Sequence, residues 1–131
     1  MLARVFPGRA DGTVVAPPSK SVAHRALIAA ALAKGKSRIT GAGSSKDIIA
    51  TTAALKALGA HITQQGETLI VDGCDPRAHA ATSVDCNESG STLRFLIPVF
   101  ALGREETIFT GKGRLPHRPQ QVYQQLFAEQ G

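Results

Sequence analysis

The stretch "SKSVAHRALIAAALAKGKSRITG" (residues 19–41) decides the reading of the fold, because it can be laid over "SGSTLRFLIPVFALGREETIFTG" (residues 89–111). "RALI" falls on "RFLI" with one small gap, and Gly90 then takes the place of Lys20. Such self-similarity marks a supersecondary unit used more than once. In the first copy, Ser19 or Ser21 caps a helix whose apolar positions Val22, Ala26, Leu27, Ala30 and Ala31 keep helical spacing until Gly35 stops it. Ahead of it, residues 13–16 read as a short strand ended by Pro17-Pro18, since proline removes a ladder donor and pushes its predecessor out of the helical region. Residues 37–40 read as the next strand.

The turn "GAGSSKD" leads to a second helix capped by Asp47 or Ser45 and carried by Ile48, Ile49, Thr52, Leu55 and Leu58. Gly59 closes it as a left-handed residue. "HITQQGETLIVDG" then places Gln65-Gly66-Glu67 between β-prone runs at 61–64 and 68–72, a hairpin signal. The first unit therefore reads βαβαββ. The second follows the same order and reaches Gly131, the position matching Gly59, before its own hairpin, so about one and a half α/β units are expected.

With 131 residues, 43% of them hydrophobic and no tryptophan, the chain suits one domain, or part of one, packed with small aliphatic side chains. Fifteen Lys and Arg against ten Asp and Glu give a net charge of +5, but the cations are dispersed and few aromatics accompany them. That balance favours small anionic ligands over nucleic acid. Cys74 and Cys86 have neither CxxC spacing nor a histidine pair beside them, which argues against a disulfide or a metal site and for a reducing, cytoplasmic setting. The longest apolar run, residues 26–33, is too short to cross a bilayer, and the first residues lack a signal pattern.

A helix opening offers free N–H donors and a partial positive charge, a ready place for phosphate or carboxylate. Lys20 and Ser21 add donors there, and Arg25 stands one turn deeper on the same face, where its planar fork could hold an anion. The plainer alternative is a serine cap with two solvated cations. The second helix opening, "ESGST", carries Gly90 where backbone could approach a ligand closely, or where the loop is merely glycine-rich. In "GKGRLPHRPQQ", Arg114, His117 and Arg118 gather before a helix that starts at Pro119; cations are unfavourable at a helix opening, so they are either solvated or face an anion. A P-loop is rejected on spacing. His24 and His117 read as solvated or supporting rather than catalytic, His61 and His79 as structural, and Asp85 and Glu88 as capping or solvated.

"PPSKSVAHRALIAAAL", "ESGSTLRFLIP" and "TGKGRLPHRP" resemble, in order and spacing, the three N-terminal signatures of 5-enolpyruvylshikimate-3-phosphate synthases. The resemblance implies an inside-out α/β barrel fold of two domains, each of three βαβαββ units, with substrates in the cleft between them. It implies transfer of the enolpyruvyl group of phosphoenolpyruvate to the 5-hydroxyl of shikimate 3-phosphate, with loss of phosphate and without metal or organic cofactor. By motif, Lys20 resembles the catalytic lysine that touches phosphoenolpyruvate between the two substrates, Ser21 and Arg25 the pair that holds shikimate 3-phosphate, and Gly90 and Arg118 the glycine and arginine at phosphoenolpyruvate. Glu88 stands where many members have asparagine and is given no ligand role; Arg94 and Arg114 are left to hold the helix or loop.

Members of this family are much longer, so the chain is expected to be an N-terminal piece. Residues 1–16 would be the strand and crossover near the interdomain hinge, 17–75 the first unit and 83–131 a truncated second unit of a partial domain over 17–131. The family's acids and bases lie further along, which implies that the piece alone is inactive. The whole polypeptide is expected to be monomeric, and the piece, without its remainder, to self-associate. Alternatives are a UDP-N-acetylglucosamine enolpyruvyl transferase, which usually reads Lys-Asn at the first motif and carries a cysteine loop, and a non-catalytic module binding anions or nucleic acid.

Overall fold

Ser19 opens the first helix: its extended backbone (φ −74°, ψ 107°) frees its hydroxyl to accept from the Val22 N–H. In the computed structural model, which describes residues 2–130, α1 runs Lys20–Leu32 and buries Ala23, Leu27, Ala30 and Ala31. It ends before Gly35 because tertiary partners take its last carbonyls. The Cys74 N–H donates to the Ala31 carbonyl (2.8 Å), and Gly73 lies so close to the Ala33 carbonyl that a Cβ would overlap it. Gly35 instead makes a left-handed bend (φ +83°) into β1, Lys36–Thr40.

Ser45 caps α2, Lys46–Leu58, leaving Asp47 in the first turn, where negative charge suits the helix dipole. Gly59, at φ +115°, closes it with its N–H on the carbonyls of Leu55 and Lys56. The hairpin forms as β2, His61–Gln65, and β3, Thr68–Asp72, around a two-residue turn with Gly66 at φ +59°. β1 takes the other edge of β3, so the antiparallel sheet has the order β1-β3-β2.

The second unit opens with β4, Thr82–Asp85, crosses over through α3, Gly90–Phe100, and returns in β5, Thr107–Thr110, parallel to β4. A 3-10 turn at Leu115–His117 leads to α4, Gln121–Gln130. Pro119 precedes this helix rather than opening it. Within α3, Pro98 has no N–H to give the Arg94 carbonyl, and the Tyr123 hydroxyl of α4 donates to that carbonyl instead (2.8 Å).

The expected strand at 13–16 does not form. Residues 2–19 are irregular and exposed, Val14 and Val15 included, because none of the five strands among the described residues pairs with them and a ladder needs a partner. The first unit is thus αβαββ over the described residues, and the second βαβα. Leu27, Leu55 and Leu96, one from each of α1, α2 and α3, are fully buried together with Leu58, Val71 and Val84. The three helices meet in the interior, while the larger sheet leans on α1 and the smaller on α2.

Candidate functional site

The first turns of α1, α2 and α3 come together. Lys20, the first residue of α1, places its Nζ 3.0 Å from Asp47 Oδ2 in the first turn of α2. The Thr92 hydroxyl in the first turn of α3 reaches the Asp47 carbonyl (3.4 Å). Three sets of unpaired N–H groups therefore open in one region, a concentration of partial positive charge. The exposed Lys20–Asp47 pair adds little stability, but it fixes where the lysine stands.

Arg25 lies one turn below Ser21, as expected, and its Nη1 donates to the Ser21 carbonyl (2.9 Å). Its guanidinium also sits over the Phe95 ring of α3, 5.2 Å from the centroid, a cation–π arrangement that ties α1 to α3. Gly90 and Arg118, far apart in sequence, meet: a Cβ on Gly90 would collide with Nη1 of Arg118. The absent side chain is what lets the guanidinium lie against the opening of α3. Lys20, Ser21, Arg25 and Arg118 are all exposed.

The loop that delivers Arg118 is laced to the loop before α3. The Lys112 N–H donates to the Asn87 carbonyl (2.7 Å), and Lys112 Nζ lies 3.4 Å from Asp85 Oδ2. Asp85 Oδ1 accepts from the Asn87 N–H (2.7 Å), which holds Asn87 at φ +51° and lowers the Asp85 pKa. Glu88 leans over Gly113, itself at φ +58°, so a Cβ there would strike the carboxylate. Arg114 and His117 are exposed, and Arg94 serves through its carbonyl.

Beneath the openings runs a buried polar chain. His24 Nδ1 shares a 2.7 Å hydrogen bond with Thr51 Oγ1, which shares another of 2.7 Å with Thr92 Oγ1, which donates to Ser89 Oγ, also at 2.7 Å. His24 is 2% exposed rather than solvated, and burial pushes its pKa below the ordinary 6.5, with Asp47 opposing and Lys20 and Arg25 assisting. His79, as expected, is structural: its ring bonds the Pro76 carbonyl (2.8 Å) and the Thr107 hydroxyl (3.2 Å) and meets Phe100 edge-on.

Sequence reasoning missed Asp47 as the partner of Lys20, Phe95 as the seat of Arg25, and the Thr51–Thr92 link. An acid and a base each in a first helical turn was a signal for the first; nothing local marks the others. A groove of about 540 Å³ runs between α2 and the hairpin, lined by Ala42, Ile49, Thr52 and Gln64 among others, and reaches the opening of α2 at Ser44 and Ile48.

Fold and site together define an α/β protein of repeated units whose helix openings gather cations on one exposed surface. The family model described as EPSP synthase (3-phosphoshikimate 1-carboxyvinyltransferase) matches residues 6–131. Proteins named 3-phosphoshikimate 1-carboxyvinyltransferase are 48% identical in Clostridium beijerinckii and 44% in Clostridium botulinum (strain Eklund 17B / Type B), each over 98% of this chain and 31% of the relative. The solved EPSP synthase from Acinetobacter baumannii superposes with a TM-score of 0.76 at 25% identity, covering 87% of this chain and 27% of that one. The chain belongs to the EPSP synthase family and has part of the enolpyruvyl transferase fold. It spans about a third of the length of the curated relatives it matches.

Proposed function

We propose that this chain supplies part of the substrate surface of a 3-phosphoshikimate 1-carboxyvinyltransferase. The reaction moves the enolpyruvyl group of phosphoenolpyruvate onto the 5-hydroxyl of shikimate 3-phosphate and releases inorganic phosphate. Two polyanions must be brought together, and the charge on their phosphate and carboxylate oxygens must be met, which is the work of positioned cations and N–H donors. The observation that carries this reading is the convergence of three helix openings with Arg118 laid against Gly90.

Ser21 and Arg25 hold shikimate 3-phosphate, Gly90 and Arg118 receive phosphoenolpyruvate, and Lys20 stands between the two. Phe95 and the Ser21 carbonyl preorient Arg25, so less side-chain freedom is lost when it takes an anion. Residues 1–16 belong near the interdomain hinge and 17–131 to a partial N-terminal domain, with units over 17–75 and 83–131. The setting is cytoplasmic, in keeping with free Cys74 and Cys86; no helix of the described residues is long and apolar enough to cross a membrane.

Ligand-observed NMR tests the assignment. Shikimate 3-phosphate binds the parent chain and is weakened about tenfold or more in Arg25→Ala, the cost of losing a charge-assisted hydrogen bond. Gly90→Ala displaces Arg118 and weakens phosphoenolpyruvate by a similar factor while leaving shikimate 3-phosphate unchanged. Equal binding by parent and Arg25→Ala would remove the reading.

A further inference from the structure

Lys20, Ser21 and Gly90 sit on helix openings, with Arg25 one turn deeper and Arg118 laid against Gly90, so the proposed anion site is only as well formed as the openings are mutually fixed. Surface pairs such as Lys20–Asp47 do this weakly. The buried chain His24–Thr51–Thr92–Ser89 is better placed: one member lies on α1, one on α2, and two at the start of α3. Thr51 and Thr92 are completely buried, His24 and Ser89 nearly so. Ser89 is the cap of α3, and its hydroxyl also accepts from the Thr92 N–H (3.1 Å).

One order of donors satisfies the chain. Thr92 has one hydroxyl proton and gives it to Ser89 Oγ at 2.7 Å, the shorter of its two donations, the other reaching the Asp47 carbonyl at 3.4 Å. Thr51 must then donate to Thr92, and His24 Nδ1 must donate to Thr51. A neutral ring protonated at Nδ1 satisfies all three bonds, and burial keeps the ring neutral near pH 7.

We propose that Thr51 is a positioning residue whose hydroxyl, bridging His24 and Thr92, locks the opening of α3, with Gly90 and the seat of Arg118, to the opening of α1 that bears Lys20. This rests on the reading of Lys20, Gly90 and Arg118 as an anion site, which it extends from the groups that touch ligand to a group that sets their register. Removing the hydroxyl strands a buried ring N–H and a buried threonine oxygen, so α3 gains reason to shift.

Two substitutions separate hydrogen bonding from packing. Thr51→Val keeps the shape and loses the hydroxyl; Thr51→Ser keeps the hydroxyl and loses a methyl. Amide exchange at Thr92 and Leu93, which close the first turn of α3 on Ser89, reads the opening without any ligand. Thr51→Val speeds it about tenfold relative to the Leu58 amide of α2 and weakens phosphoenolpyruvate by a similar factor, while Thr51→Ser stays within about twofold of the parent in both. The His24 ring in the parent gives the NMR signature of the Nδ1–H tautomer.

A Thr51→Val chain that behaves as the parent, a Thr51→Ser chain as damaged as Thr51→Val, or an Nε2–H ring would each overturn the proposal. A parent that binds no phosphoenolpyruvate would instead remove the functional reading, and the exchange at Thr92 and Leu93 would still decide whether Thr51 fixes α3.

Discussion

Arg25 and Arg118 show two ways of holding a cation ready at the scale of the residue. Arg25 is steadied by an aromatic face and a carbonyl, Arg118 by the space that Gly90 leaves open. The placement of Lys20, Ser21 and Gly90 at helix openings, with Arg25 one turn deeper, was legible because serine, glycine and cations there carry a local electrostatic and steric meaning. His24 was not, since a histidine on a helix reads alike whether its face meets water or another helix. Its burial gives a pH prediction. The folded pKa is lowered, so below 6.5 the unfolded chain holds a proton that the folded chain refuses. Stability therefore rises with pH up to about 6.5 and falls as pH drops beneath it. Asp85, and Asp75 held down to about 2 by Arg77, are lowered carboxylates whose contributions fade only beneath their ordinary 3.8. Urea melts at about pH 5 and pH 7 check this: the parent loses stability at the lower pH, and His24→Asn loses less.

Helices and strands follow local rules until a tertiary partner intervenes. Ser19, Ser45 and Ser89 each cap a helix through their hydroxyls, and Gly59 ends α2 in the conformation its lack of a Cβ permits. These elements were readable from sequence for that reason. The end of α1 was not, because Cys74 and Gly73, some forty residues on, take the place that Gly35 would have filled. α4 illustrates the same dependence. It buries no residue, yet Tyr123 supplies the donor that Pro98 withholds from Arg94. Tyr123→Phe should cost about 0.5–1.5 kcal/mol, the net worth of one hydrogen bond. The loss appears as faster amide exchange in α4, with α1 and α2 unchanged; uniform protection across all helices would show that α4 is held by other means.

Across the whole molecule, the repeat places related helices beside one another, and their openings make a common surface. Asp47, a carboxylate among those openings, is paired with Lys20, while the proposed transfer needs a proton moved to a methylene carbon and another taken from a hydroxyl. A polypeptide of these 131 residues is therefore expected to bind its anions without turnover, and phosphate release above background would refute this. Exposed Val122, Leu126 and Phe127 on α4, with Ile108 on β5 and Leu102 at the end of α3, are expected to drive association, seen as a mass by light scattering that rises with concentration. By itself the sequence determined the repeat, the starts of the helices to within a choice of capping residue, the hairpin and the cations at the helix openings, since each depends on a few neighbouring residues and the free energy of local backbone groups. Only the tertiary structure decided that residues 13–16 pair with nothing, that Arg118 meets Gly90, that Phe95 carries Arg25 and that His24 is buried on Thr51. Those outcomes depend on which helix faces which, and that is set by the packing of Leu27, Leu55 and Leu96 into one core, where burial of apolar surface is indifferent to separation along the chain.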